Sequence, residues 1–136
     1  MDETNDERGS HWRRWDPHVH MPGTVLEDRY RCTIEEALHT LAASGVSAAG
    51  ITDYVTTASY RAAEVAWRAG AGKGIEFLFP NVELRLDVPT TKGKGVNIHL
   101  LCEPAEIESL EMFLGNLTFS AQGNSYPATR PSLVLL

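Results

Sequence analysis

Two histidines stand two residues apart in Trp15-Asp16-Pro17-His18-Val19-His20, a stretch with strand-like surroundings. Alternate side chains of a strand share a face, so both imidazoles point the same way. Two neutral imidazoles on one face can hold a transition-metal ion. Asp16, just upstream, could accept a hydrogen bond from a ligating ring and fix its tautomer, provided that it reaches round the strand. An isolated pair of this kind is more often two surface histidines, so the other acids and histidines must decide.

The elements that would position them are legible in order. Thr33 and Glu36 have capping-box spacing, and Ile34, Ala37, Leu38, Leu41 and Ala42 form one apolar helical face that Gly45 ends. Val46 to Asp53 is a short apolar run closing on a carboxylate, as a buried parallel strand delivering Asp53 to its C-terminal edge would be. A second helix is expected from about Thr57 to Arg68, with Tyr60, Ala63, Ala66 and Trp67 inward and glycines 70, 72 and 74 ending it.

Ile75 to Pro80 and Val82 to Leu86 form one long strand or two pieces interrupted at Pro80-Asn81, with Glu83 and Arg85 on a shared face. Thr90 to Gly95 is a turn, and Val96 to Leu101 is the partner strand carrying His99. Pro104 opens a third helix whose expected buried face is Ile107, Leu110, Phe113 and Leu114, before Gly115. Met21 to Thr24 is a turn, residues 1–11 form a flexible lead, and Asn116 to Leu136 has no regular pattern.

This alternation argues for an α/β architecture with a mainly parallel sheet, in which sites lie at the C-terminal strand ends. His18, His20, Asp53, Glu83 and His99 would converge there. Each also has a plainer role. Asp53 could cap the following turn, Glu83 could pair with Arg85 or a lysine, and His99 could be a satisfied core histidine.

Composition sets outer limits. The 136 residues suit one domain, and 43% hydrophobic with 22% charged content is ordinary for a globular chain. A net charge of −6 argues against a nucleic-acid surface built on bulk electrostatics. Cys32 and Cys102 are far apart and are read as thiols, which suits a reducing compartment. Met1 to Arg14 is too polar for a secretory signal, and no window approaches a membrane-spanning length, so the expected location is cytoplasmic.

Gly70 to Gly74 lacks the spacing and the Ser or Thr of a phosphate loop, and Asn116-Leu117-Thr118 matches a glycosylation pattern that means little in such a chain. His39 falls off the first helix's apolar stripe, and Cys102, without a second ligand pair, is assigned to the core.

Four segments together carry a resemblance. Asp16-Pro17-His18-Val19-His20, Gly50-Ile51-Thr52-Asp53, Pro80 to Leu86 around Glu83, and Asn97-Ile98-His99-Leu100-Leu101 resemble, in order, the opening motifs of the PHP (polymerase and histidinol phosphatase) domain. The match spans roughly residues 12 to 115, and the run from Arg13 with Ile51 to Tyr54 looks most like the PHP domain at the front of TrlF-type ATPases. The resemblance implies an incomplete, distorted β/α (TIM-like) barrel whose strand ends hold divalent zinc, manganese or iron for phosphoester hydrolysis.

On that mapping His18 and His20 bind one metal, Glu83 bridges two, and His99 serves the second. Asp53 and Arg85 are the catalytic candidates, Asp53 as an orienting or supporting group. The metals would generate a hydroxide nucleophile and stabilise the charge developing on phosphorus. The implied partners are a phosphoester, such as a nucleotide or nucleic-acid end, and an ATPase domain or subunit.

The chain departs from the family pattern at Leu26 and Glu27, and at Tyr54, where family members place histidines. The family's later histidine and closing Asp-x-His are absent, and a barrel needs about 200 residues or more. The expectation is therefore an N-terminal fragment with a truncated tail and weak or no activity alone. The alternative is a non-catalytic PHP-derived module working with an ATPase in nucleic-acid metabolism or defence.

Overall fold

The computed structural model describes residues 12–24, 29–129 and 132, with the side chains of 87–89 left aside. The expected lead at 1–11, the family departures at Leu26 and Glu27, and residues 130, 131 and 133–136 of the expected tail lie outside the described residues.

The chain is mixed α/β, with four strands in a curled half-barrel sheet and three α-helices. The strands are β1 (Arg14–His20), β2 (Val46–Tyr54), β3 (Phe77–Pro89) and β4 (Gly95–Leu101), in spatial order β1-β2-β3-β4. β1, β2 and β3 run parallel, and β4 returns antiparallel to β3. The helices α1 (Ile34–Ala43) and α2 (Ala58–Arg68) serve as the crossovers. A 3₁₀ turn (Pro104–Glu106) leads into α3 (Ile107–Gly115).

Local chemistry accounts for these elements. α1 begins with the expected reciprocal cap: Thr33 Oγ1 accepts from Glu36 N–H at 3.2 Å, and the Thr33 N–H donates to Glu36 Oε2 at 2.8 Å. β2 is buried along nearly its whole length, which explains why its sequence is mostly small and apolar. β3 continues straight through Pro80, so of the two readings it is the single long strand that forms. Its ladder with β2 is unbroken from Phe77 to Glu83.

All three helices pack on one face of the sheet. Leu38 of α1 and Tyr60, Ala63 and Ala66 of α2 cover Ala49, Ile51 and Leu78. Leu110 and Leu114 of α3 cover Val82, with Leu84 and Leu100 beside it. Phe113, expected in that buried face, is 50% exposed. Its position is about 100° round the helix from Leu114 and off the stripe that Ile107, Leu110 and Leu114 define. Cys102 is half-buried at the edge of the same cluster rather than within it.

The region after Asn116 is more regular than expected. β5 (Thr118–Ala121) and β6 (Asn124–Pro127) form a hairpin. Gln122 and Gly123 both take positive φ, at 50° and 78°, as a two-residue turn between twisted strands requires. Gln-Gly is an uncommon version of that turn, so it went unseen. No described helix is long and apolar enough to cross a membrane.

Candidate metal centre

The opposite, helix-free face of the sheet carries the polar groups. Its geometry begins with an irregularity in β1. Asp16 pairs with Ala49 and Val19 with Ile51, so β1 spends one residue more than β2 between those pairs. Pro17 sits in the gap with no N–H to offer the ladder. Asp16 Oδ1 accepts the His18 N–H at 3.2 Å. Asp16 therefore shapes the bulge through backbone, instead of holding a ring nitrogen as expected. The bulge also brings the Pro17 carbonyl over Gly50, where a Cβ would lie 2.3 Å from that oxygen. Only glycine fits there.

His18 and His20 leave the bulge on the open face with their Nε2 atoms 3.0 Å apart. Glu83, opposite Tyr54 on β2 and His99 on β4, reaches the same point. Its Oε2 lies 3.5 Å from His18 Nε2 and 3.8 Å from His20 Nε2. The Glu83 side chain is 4% exposed, and Oε2 has no hydrogen-bond partner among the described residues. Its other oxygen, Oε1, accepts from Asn97 Nδ2 at 2.5 Å.

Three donor atoms with those separations fit one ion. The point equidistant from them lies about 2.0 Å from each, and bonds from a transition metal to nitrogen or carboxylate oxygen are about 2.0–2.2 Å. Two imidazole nitrogens and a carboxylate are also the donor set that zinc, manganese or iron accepts. An ion would satisfy the buried Oε2, which otherwise carries a desolvation cost. His18, His20 and Glu83 are the one such group of three among the described residues.

His99 flanks this trio without joining it. Its ring centroid is 4.6 Å from that of His18, and its Nδ1 lies 3.0 Å from Asn81 Oδ1. Arg85 stands at the rim, with its guanidinium 5.1 Å above the Tyr54 ring. Tyr54 in turn stacks on His20 at 5.4 Å and 20°. Arg85 thus joins the site by way of Tyr54.

Asp53 is not brought to the trio. It alternates with Tyr54, so its side chain lies on the helix side of β2. There Asp53 Oδ2 accepts from the Ser59 N–H at 3.1 Å and from Ser59 Oγ at 2.7 Å, and Oδ1 accepts from the Tyr54 N–H at 2.9 Å. It caps the start of α2.

Asn81 and Asn97 went unseen in the sequence, although each is two residues from a candidate ligand on the same strand and hence on the same face. His39 is exposed, as expected, and its Nδ1 accepts from Gly72 N–H at 3.4 Å. The site lines a cavity of 550 Å³ that also includes Asp16, Tyr30 and Tyr54. Comparison of the chain with family models and with curated proteins returns no match.

Proposed function

We propose that His18, His20 and Glu83 hold a divalent metal ion, and that the chain is a PHP-type, TIM-like half-barrel built for phosphoester hydrolysis. The observation that carries this reading is the convergence of three donor atoms, one of them a buried carboxylate oxygen, at the spacing a single ion spans. A divalent ion there supplies Lewis-acid activation of water and of a phosphoryl oxygen.

The chain's own groups do the rest. Asn97 engages Oε1 of Glu83 and so reserves Oε2 for the ion. Tyr54 backs His20 by stacking and holds Arg85 at the rim. Arg85, held over the Tyr54 ring, would offer its donors to phosphate oxygens in a bidentate contact. On the same reading His99 would be the chain's ligand for a second ion. The substrate class is a phosphoester, including a nucleotide or nucleic-acid end.

A second reading draws on the exposed apolar face of Trp15, Phe77 and Leu101 over the buried Phe79, which suits a non-catalytic module that assembles with an ATPase. One experiment separates the two. Metal content and hydrolysis of an aryl phosphodiester are measured for the natural chain and for His18→Ala/His20→Ala. Stoichiometric metal and measurable hydrolysis, both lost in the variant, are expected. Metal retained by the variant would remove the ligand assignment. A natural chain that takes up no metal yet co-purifies with an ATPase would establish the second reading.

A further inference from the structure

Asn81 lies beside the site with 2% exposure, between groups from two other strands. Its Nδ2 donates to the Pro17 carbonyl of β1 at 2.6 Å, and its Oδ1 lies 3.0 Å from His99 Nδ1 of β4. We infer that Asn81 is a positioning residue that holds the neutral His99 ring as its Nδ1–H tautomer, leaving the Nε2 lone pair for ligation.

The inference follows from what each atom can do. A carbonyl oxygen only accepts, so the Asn81 atom facing Pro17 must be the NH₂ group. That orientation places the amide oxygen against His99 Nδ1. An amide oxygen also only accepts, so Nδ1 must carry the hydrogen. Flipping the amide would instead bring two acceptor oxygens to 2.6 Å in a buried place, a repulsion with no compensating bond. Both ends of the relay are therefore fixed by the Pro17 carbonyl.

That carbonyl is in turn fixed by the β1 bulge and by the space above Gly50. The relay runs from β2 through β1 and β3 to β4, so the whole sheet determines one proton position. An unconstrained neutral histidine prefers the opposite tautomer, with hydrogen on Nε2. Without Asn81 the lone pair would face away from its ligating position. The proton assignment does not depend on any metal; only its consequence for metal affinity rests on the proposed centre.

The test uses the full chain labelled with ¹⁵N in its histidine rings, free of metal, at about pH 8, above the ordinary histidine range. His99 Nδ1 is expected at a pyrrole-like shift and Nε2 at a pyridine-like shift; the reverse pattern in the natural chain would overturn the inference.

Asn81→Leu keeps similar bulk but removes both contacts, and is expected to move His99 toward the Nε2–H form. Metal affinity through His99 should fall by about 10–100-fold, the usual cost of losing a ligand's hydrogen-bond partner. Asn81→Ala likewise removes both contacts and adds no acceptor opposite the Pro17 carbonyl; it is expected to shift His99 in the same direction and serves as the test should the leucine variant fail to fold. An unchanged tautomer in a folded Asn81→Leu or Asn81→Ala chain would refute the assignment. The natural pattern with no metal uptake would leave the inference standing and remove the metal reading.

Discussion

At the residue scale, two buried carboxylates on neighbouring strands have been given opposite tasks by side-chain alternation. Asp53 has hydrogen bonds for both oxygens and spends them on α2 and on the adjacent backbone. Glu83 has one oxygen engaged by Asn97 and one aimed at two imidazoles. The two therefore respond differently to the same isosteric change. Asp53→Asn weakens charge-assisted bonds worth about 1.5–3 kcal/mol, so it should lower the unfolding free energy by up to that amount and leave metal affinity nearly untouched. Glu83→Gln should do the reverse, because it replaces an anionic ligand with a neutral amide while relieving a buried unsatisfied oxygen. Denaturant melts and metal titrations of both variants decide the matter. A fall in metal affinity as large in Asp53→Asn as in Glu83→Gln would contradict the separation.

At the element scale, the β1 bulge is what turns an ordinary strand end into a convergent site, and its closest support is Gly50. An alanine Cβ there would meet the Pro17 oxygen at 2.3 Å and Phe79 Cε2 at 2.8 Å. The first obstruction is backbone and cannot swing aside. Gly50→Ala should cost about 1–3 kcal/mol as an overpacking substitution and also weaken metal binding by displacing Pro17, Asn81 and His18 together. A variant with natural stability and affinity would show that the close approach is dispensable. A second element-level tie joins α2 to α3, where Arg61 holds Glu111 by two contacts of 2.9 Å and Thr57 adds one of 2.6 Å. Chiefly through the Arg61 hydrogen bonds, the Glu111 carboxyl is held below its ordinary pKa. A depressed folded pKa means stability that is present above the ordinary carboxylate range and is lost as pH falls through the lowered value. Glu111→Gln should flatten that part of an acid unfolding curve by removing a small contribution near neutrality while leaving the acid end unchanged, the size being limited because the pair is partly exposed. These elements differ in how far the sequence announced them. The α1 cap and the β2 run were legible because local chemistry dictates them. The bulge was not, because a proline between two histidines names neither the partner strand nor the register. The asparagine contacts needed the pairing of β3 with β1 and β4, and the Gln-Gly hairpin lacked the usual turn residues.

At the scale of the whole molecule, the sheet is covered on one side only. The α/β alternation was readable from the periodicity, and the strand-end argument gathered His18, His20 and Glu83 together with Asp53 and His99; which carboxylate would face the site required the register. On the helix-free face, below the metal site, Trp15 is 61% exposed and Leu101 57% exposed, beside Phe77 and Phe79. The rings pack on one another, with Trp15 centred 6.1 Å from Phe79 and 6.5 Å from Phe77. An apolar patch of this kind drives association or binds apolar probes. The strand edge beside it resists pairing, because Pro17 has no N–H and Asp16 already takes that of His18. Contact should therefore come through the face of the sheet and not by strand addition. The expected behaviour is a concentration-dependent rise in sedimentation coefficient together with binding of an apolar fluorescent dye. Trp15→Ser/Leu101→Thr should reduce both, with stability changed by no more than about 0.5 kcal/mol per site because the removed groups are exposed. Metal affinity should persist, since neither residue touches the His18, His20 and Glu83 group. A natural chain that stays monomeric and binds dye no better than the double variant would mean that the aromatic rings already satisfy one another, and that the open face needs no cover.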